Sequence, residues 1–154
     1  MDSQIRALTI SVFVLTGWLG PTLGMSQESD QVRTVIEQVR ADCAEFEDGA
    51  LDVKPGAVSQ VELTGDDRPE EIVDSRFLSC SSAASLYCGT GGCSIWVLAE
   101  GTTRNLLVKD WQVVDHFGTP VLLSNIHGSE CGGDNTRRCA RAYVWSQGSL
   151  QTVD

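Results

Sequence analysis

Basic residues are scarce in this sequence. It has 11 Lys and Arg against 21 Asp and Glu, which gives a formal net charge of −10 at pH 7. A surface with this charge repels phosphate backbones, so nucleic acid is not an expected partner. The same field attracts cationic proteins, basic peptides and metal ions. Acidity also serves simply to keep an exported protein soluble, and the charge alone leaves both roles open.

Two motifs with well-understood chemistry are missing as well. The sequence contains no Cys-x-x-Cys, the motif of thiol–disulfide exchange. It also contains no Gly-x-Ser-x-Gly, which marks the nucleophile of α/β-hydrolases. Any catalytic role would therefore need a different arrangement of side chains.

Long apolar runs are absent except near the start of the chain. There, Ala7 to Leu19 follows the basic residue Arg6, and Pro21 and small residues come next. This order is typical of a secretory signal peptide, and the run is too short to span a bilayer comfortably. We therefore predict a signal peptide over residues 1–26 and a single domain over residues 27–154. That domain is expected in the periplasm or outside the cell, with no membrane span.

All six cysteines lie in the predicted mature part. An even number behind a signal peptide indicates three disulfides formed in an oxidising compartment. Four of the cysteines flank short loops that contain glycine and bend back easily, which leaves two to join the N-terminal helix to the sheet. The predicted pairs are Cys43–Cys80, Cys88–Cys93 and Cys131–Cys139.

Apolar residues near the start of the predicted domain recur with helical spacing. The stripe that runs from Val32 through Cys43 to Phe46 predicts an amphipathic helix from about Ser29 to Glu47. Ser29 or Asp30 is expected to cap its start.

The rest of the chain consists of short β-type runs separated by turn residues. Glu100-Gly101 and Gln147-Gly148 lie between such runs and are predicted to be hairpin turns. The predicted class is α+β, mainly β: the N-terminal helix packs on an antiparallel meander sheet stapled by disulfides. The predicted strands are 57–63, 71–74, 94–99, 104–108, 112–115, 120–125, 141–145 and 150–153.

The stretch from Val61 to Asp74 combines acidic and turn residues. It resembles the acidic loop of FG-GAP and VCBS-type repeats, in which oxygens at alternate positions wrap a calcium ion. The ligands implied by this resemblance are Glu62, Thr64, Asp66 and Glu70. Thr64 replaces an Asn of the motif and Asp67 replaces the turn glycine, so the alternative is an acidic hairpin that keeps its shape without an ion. A full propeller is excluded because only one such loop is present.

The wider sequence is similar to small uncharacterised exported bacterial proteins. The resemblance covers most of the predicted mature chain and implies export, but no activity. It is carried by residues 43–49, 62–74, 77–82, 88–93 and 127–132.

The stretch His127-Gly-Ser-Glu-Cys131 contains side chains that could catalyse a reaction. His127 could act as a base for Ser129 or Cys131, with Asp110 or Asp115 orienting the imidazole ring. In the alternative, hydrogen bonds of His127 and a disulfide hold the loop, and Cys131 offers no thiolate.

Zinc is a further option for the same region. The donors would be Cys88, Cys93, His127 and Cys131. An oxidising compartment competes for the thiolates, which disfavours a zinc site.

These features support three functional hypotheses. The first is an exported, non-enzymatic domain that binds a protein or another envelope component, a cationic one among the candidates, through an acidic, loop-rich face. The second is a structural module stabilised by calcium in the loop from Glu62 to Glu70; no cofactor other than calcium is expected. The third is a small hydrolase that uses His127 and Ser129.

Overall fold

A computed structural model describes residues 29–137 and 139–153 of the chain. The signal peptide predicted for residues 1–26 lies outside the described residues. The described chain is mainly β, with antiparallel sheets and three disulfides, which confirms the predicted class at this level. No helix within the described ranges has the length and hydropathy that a membrane crossing requires.

The first element is the amphipathic helix α1 (Asp30–Glu45). Of the two candidate caps, Ser29 takes the position: its side chain accepts a hydrogen bond from the backbone N–H of Val32. The hydroxyl of Ser29 also donates to Glu71, which ties the start of the helix to the sheet.

Eleven β-strands follow α1 in the described chain. Eight of them match the predicted strands to within two residues at each end. The other three, β1, β4 and β5, are only two or three residues long, too short to produce a readable alternation. The strands are β1 (Leu51–Val53), β2 (Val58–Val61), β3 (Glu70–Asp74), β4 (Leu78–Cys80), β5 (Cys88–Gly89), β6 (Gly92–Ala99), β7 (Thr102–Val108), β8 (Asp110–His116), β9 (Thr119–Ile126), β10 (Cys139–Ser146) and β11 (Ser149–Val153).

The strands are divided between two main sheets and one small ladder, whereas the sequence predicts one meander. In the first sheet the order is β2-β3-β6-β5, with β7 paired to β6 as well. In the second sheet the order is β11-β10-β9-β8, and this part is a true meander. The small ladder pairs β1 with β4.

Apolar side chains on both faces of β6 explain why the molecule is layered. Ile95 and Val97 point to one side, where they share a core with Leu122 of the second sheet. Trp96 and Leu98 point to the other side and pack in a second core with the buried stripe of α1. A sheet that is apolar on both faces needs a cover on each. The order of layers is therefore α1, first sheet, second sheet.

The hairpin turns agree with the sequence at two places and differ at one. In both Glu100-Gly101 and Gln147-Gly148 the two central residues have positive φ, as a type I′ turn requires. Phe117-Gly118, between β8 and β9, has the same conformation, with φ of 52° and 83°. This turn escapes prediction because an aromatic residue seldom adopts positive φ.

The cysteines are joined as Cys43–Cys80, Cys88–Cys93 and Cys131–Cys139, the pairs inferred from the sequence. The first bond connects α1 to β4 across 37 positions of the chain. The other two close short loops, of 5 and 8 positions. No free cysteine remains in the part of the chain that the structure describes.

Candidate functional site

Glu70, one of the implied calcium ligands, is buried at the start of β3. Its carboxylate accepts hydrogen bonds from the backbone N–H groups of Leu63 and Thr64, at 2.7 and 3.2 Å. The hydroxyl of Thr64 donates to the other oxygen of Glu70 at 3.1 Å. Protein donors therefore already bind both carboxylate oxygens, and they close the loop between β2 and β3.

The two remaining acidic candidates are engaged in the same way. Glu62 accepts a hydrogen bond from the backbone N–H of Gly65 at 2.6 Å. Asp66 accepts from the backbone N–H of Arg68 at 3.0 Å and pairs with its guanidinium, and these hydrogen bonds lower the pKa of Asp66. Asp67, which stands where the motif has glycine, takes the positive φ of 62° that the glycine would supply.

The acidic loop thus keeps its shape through its own hydrogen bonds. Among the described residues, no group of three or more His, Cys, Asp or Glu side chains is placed to hold a metal ion. The geometry corresponds to the acidic hairpin that the sequence left as the alternative to a calcium site.

His127 and Ser129 do come together. His127 precedes a short 3-10 turn (Gly128–Cys131), and its ring Nδ1 accepts a hydrogen bond from the backbone N–H of Ser129 at 3.2 Å. The Ser129 hydroxyl lies 2.7 Å from the same nitrogen. The contact has the distance that proton transfer from a serine to a base requires, but it also serves as the cap of the turn.

The other members of the catalytic hypothesis lie elsewhere. Asp110 accepts from the Arg76 guanidinium at 2.9 Å, and Asp115 accepts from the backbone N–H of Gly118 at 3.2 Å. Neither carboxylate is hydrogen-bonded to His127. The cysteines named for zinc or nucleophilic chemistry are all in disulfides, so they offer no thiolate.

Asp74 is a buried acid that the sequence reasoning did not identify. Its side chain is 1% exposed and accepts hydrogen bonds from the guanidinium of Arg76 and, at 2.8 Å, from the indole N–H of Trp111. Burial alone would raise the pKa of Asp74, but the hydrogen bonds from Arg76 and Trp111 outweigh it and lower the pKa. Because Asp74 ends β3 and Trp111 lies in β8, this cluster joins the two sheets. Its polar groups are satisfied, which makes its role structural.

A short acidic segment, residues 45–48 (Glu-Phe-Glu-Asp), lies at the C-terminal end of α1. All four residues are exposed. The sequence places Phe46 on the apolar stripe of the helix, but α1 ends at Glu45, the backbone of Phe46 is extended, and its side chain is 55% exposed. Glu47 and Asp48 both have positive φ, which turns the chain out of the helix. None of the three carboxylates forms a salt bridge with another described residue.

Gly49 fixes the acidic segment against the body of the domain. A Cβ atom built at this position would contact the Ser82 hydroxyl, the Cys43 carbonyl oxygen and, at 2.7 Å, the Sγ atom of Cys80. The backbone therefore passes so close to the Cys43–Cys80 disulfide that only glycine fits. The segment follows Cys43 by two residues, so the disulfide holds it from one side and this close contact from the other.

Comparison with known protein families, curated proteins and solved structures finds no match for the chain.

Proposed function

We propose that the protein is an exported, non-enzymatic domain that binds a cationic protein or envelope component through the acidic segment, residues 45–48. The observation that carries the proposal is an exposed Phe46 placed between three unpaired carboxylates at the end of a helix. An aromatic ring supplies apolar area and a π-face for Lys or Arg, and the neighbouring carboxylates supply the opposite charge.

The position of these charges is unfavourable for the free protein. The C-terminal end of a helix carries a partial negative charge, where Lys or Arg is stabilising and Asp or Glu is not. The last turn of α1 contains no basic residue, and three acids follow each other across its end. A cationic partner would compensate both the carboxylates and the helix end. This arrangement is easier to explain by binding than by stability.

The charge distribution of the whole chain supports the same surface. Residues 30–74 contain 13 acidic and 4 basic side chains, whereas residues 75–153 contain 5 acidic and 6 basic ones. The negative field is thus strongest around α1 and the first hairpin, and it would steer a cation toward that half of the molecule. In this proposal the acidic face consists of the C-terminal end of α1 and the hairpin formed by β2 and β3.

The disulfide Cys43–Cys80 and the tight packing of Gly49 also favour binding. A segment that is fixed before it meets its partner loses less conformational entropy on association. Three disulfides fit an oxidising compartment, in agreement with export.

The proposal can be tested by measuring the affinity of the mature protein for a lysine-rich peptide at low and high salt. Affinity should fall as salt rises. Phe46→Ala should weaken binding, while Phe117→Ala, which removes a 95% exposed ring at a distant hairpin tip, should not. Glu47→Gln should weaken binding more than Glu37→Gln, the same charge change at an exposed site of α1 ten residues upstream. Salt-independent binding, or equal effects within each pair, would contradict the proposal.

Export is tested separately. The protein should be recovered from the periplasm or medium of the producing bacterium with an N-terminus between residues 24 and 28, as read by mass spectrometry. An intact N-terminus on cytoplasmic protein would contradict this part of the proposal.

The contact between His127 and Ser129 favours one second candidate, a small hydrolase. Screening of ester and amide substrates with the native protein and with His127→Ala examines it. A hydrolase would lose activity with the imidazole; equal activity in both proteins eliminates this candidate.

A further inference from the structure

A cleft opens between the two sheets, beneath the 3-10 turn at residues 128–131. Its volume is about 290 Å³. One wall comes from β7, the other from β10 and β11, and the turn carries His127 and Glu130 to its rim. Its polar lining includes Arg104, Asn105, His127, Glu130, Arg141 and Tyr143.

Both arginines occupy positions that normally hold core side chains. In β7, Arg104 has the same parity as Leu106 and Val108, which are buried in the core between the sheets. In β10, Arg141 has the same parity as Tyr143, which belongs to that core as well. Both side chains line the cleft where the sheets separate; Arg104 is exposed there and Arg141 is partly buried.

The cationic charge in this cleft is poorly neutralised. Arg104 forms no salt bridge or side-chain hydrogen bond with any described residue. Arg141 has Glu130 as its partner, at a long 3.7 Å and with the Glu130 side chain 55% exposed. The cleft thus gathers two arginines and a single distant carboxylate in a chain whose net charge is −10.

Tyr143 supplies an independent sign of a ligand site. Only 5% of this residue is exposed, and its hydroxyl makes no hydrogen bond to the described part of the chain. If this hydroxyl were fully buried, it would be a buried polar atom without a partner, and the described residues include none. The hydroxyl therefore keeps contact with solvent. The cleft that Tyr143 lines is the space through which it does so.

His127 adds a further donor at the rim. Because its Nδ1 accepts from the backbone N–H of Ser129, the proton of the neutral ring resides on Nε2. That N–H is the ring's remaining donor. The cleft thus presents donors of three kinds, guanidinium, hydroxyl and imidazole.

We infer that this cleft binds a small molecule bearing an oxyanion, a carboxylate or a phosphate, held by Arg104 and Arg141 with the Tyr143 hydroxyl as an additional donor. A guanidinium matches either oxyanion with two parallel hydrogen bonds. The volume is at the lower limit for small-molecule sites, which favours a metabolite-sized ligand over a polypeptide. This site is separate from the acidic segment, so it stands or falls independently of the proposed cationic partner.

Calorimetric titration of the native, disulfide-bonded protein with inorganic phosphate and with succinate tests the inference. At least one probe should bind saturably, and the stronger probe distinguishes phosphate from carboxylate chemistry. Arg104→Gln and Arg141→Gln should each weaken binding about tenfold, the scale of a lost charge-assisted hydrogen bond. Arg40→Gln, the same change on the exposed face of α1, should have no effect.

Two further variants separate a ligand site from a merely structural cluster. Tyr143→Phe keeps the packed ring and should weaken binding several-fold. Glu130→Gln removes the carboxylate that competes for Arg141, so it should strengthen binding. Absence of saturable binding for both probes, or equal affinities across the cleft variants and Arg40→Gln, overturns the inference. An alternative role for Arg104 is to protect the free edge of β7 from association with another molecule. If Arg104→Gln self-associates and neither probe binds the native protein, this alternative replaces the inference.

Discussion

Removal of the Cys43–Cys80 disulfide should destabilise the domain more than removal of any other. The comparison uses two double variants, Cys43→Ser/Cys80→Ser and Cys88→Ser/Cys93→Ser, so that no unpaired thiol is left behind. Both remove one covalent link, but the first opens a loop of 37 positions and the second a loop of 5.

The expected difference follows from the entropy of the unfolded chain. Loop-closure entropy gives about 4 kcal/mol for the long loop and about 2 kcal/mol for the short one. Burial acts in the same direction: Cys43 is 0% exposed and Cys80 is 7% exposed, whereas Cys88 and Cys93 are only partly buried. Serine at the long bridge therefore also buries a hydroxyl, which adds to the loss.

Urea unfolding followed by tryptophan fluorescence measures both free energies of unfolding. The two variants should differ by about 2 kcal/mol, or roughly 6–10 °C in melting temperature for a domain of this size. Alanine versions of both pairs avoid the buried hydroxyl and should preserve the order. Equal stabilities, or a larger loss at Cys88–Cys93, would refute the entropy argument.

Three further changes test other parts of the structure. Gly49→Ala should lower the free energy of unfolding by about 1–3 kcal/mol, because the added Cβ would overlap atoms of Cys43 and Cys80. Gly89→Ala is the control: the space around Gly89 is open, so this change should leave thermal unfolding nearly unchanged. Asp74→Asn should lower the free energy of unfolding by about 1–2 kcal/mol at neutral pH, since it removes a buried carboxylate, while Arg76 is 35% exposed and keeps Asp110 as a partner. The pKa of Asp74 is lowered in the folded state. Its contribution to the free energy of unfolding is therefore complete above the unfolded pKa of about 4 and is lost as pH falls through the lower folded pKa. A difference in stability between native protein and variant that does not change with pH would contradict this assignment. Millimolar calcium should leave the melting temperature unchanged, because Glu62, Asp66 and Glu70 already accept protein hydrogen bonds; a rise abolished by Asp66→Ala would restore the calcium site.

The local elements could be predicted because their signals are local. The stripe of α1, the alternation in the longer strands and the Gly-containing turns each depend on a few neighbouring residues. The division into two sheets could not be predicted in this way. It depends on both faces of β6 being covered, and an apolar run such as Ile95–Ala99 shows that a strand is buried without showing what covers each face.

The site residues show the same limit. His127 and Ser129 are two positions apart, so sequence alone could suggest their contact, and the structure has it. Arg104 and Arg141 lie on different sheets, and only the fold brings both to one cleft. A signal was nevertheless present: each arginine interrupts an alternation at a position where the strand pattern calls for an apolar side chain. Charged residues at core-facing positions are a sign of a site that sequence analysis can use.

The third disulfide links stability to the proposed cleft. Cys131–Cys139 closes the loop that begins with the 3-10 turn, and this turn carries Glu130 to the rim of the cleft. Its removal should cost only about 2–3 kcal/mol, because the loop is short. It should nevertheless weaken oxyanion binding, because the disulfide fixes the start of β10, which carries Arg141, and holds the donor His127 at the rim. Titration of Cys131→Ser/Cys139→Ser with the stronger of the two probes measures this, with Cys43→Ala/Cys80→Ala, whose disulfide lies away from the cleft, as the control. If the rim is positioned by this disulfide, the first variant loses affinity at a temperature where both remain folded; unchanged affinity would mean that β7 and β10 alone define the site.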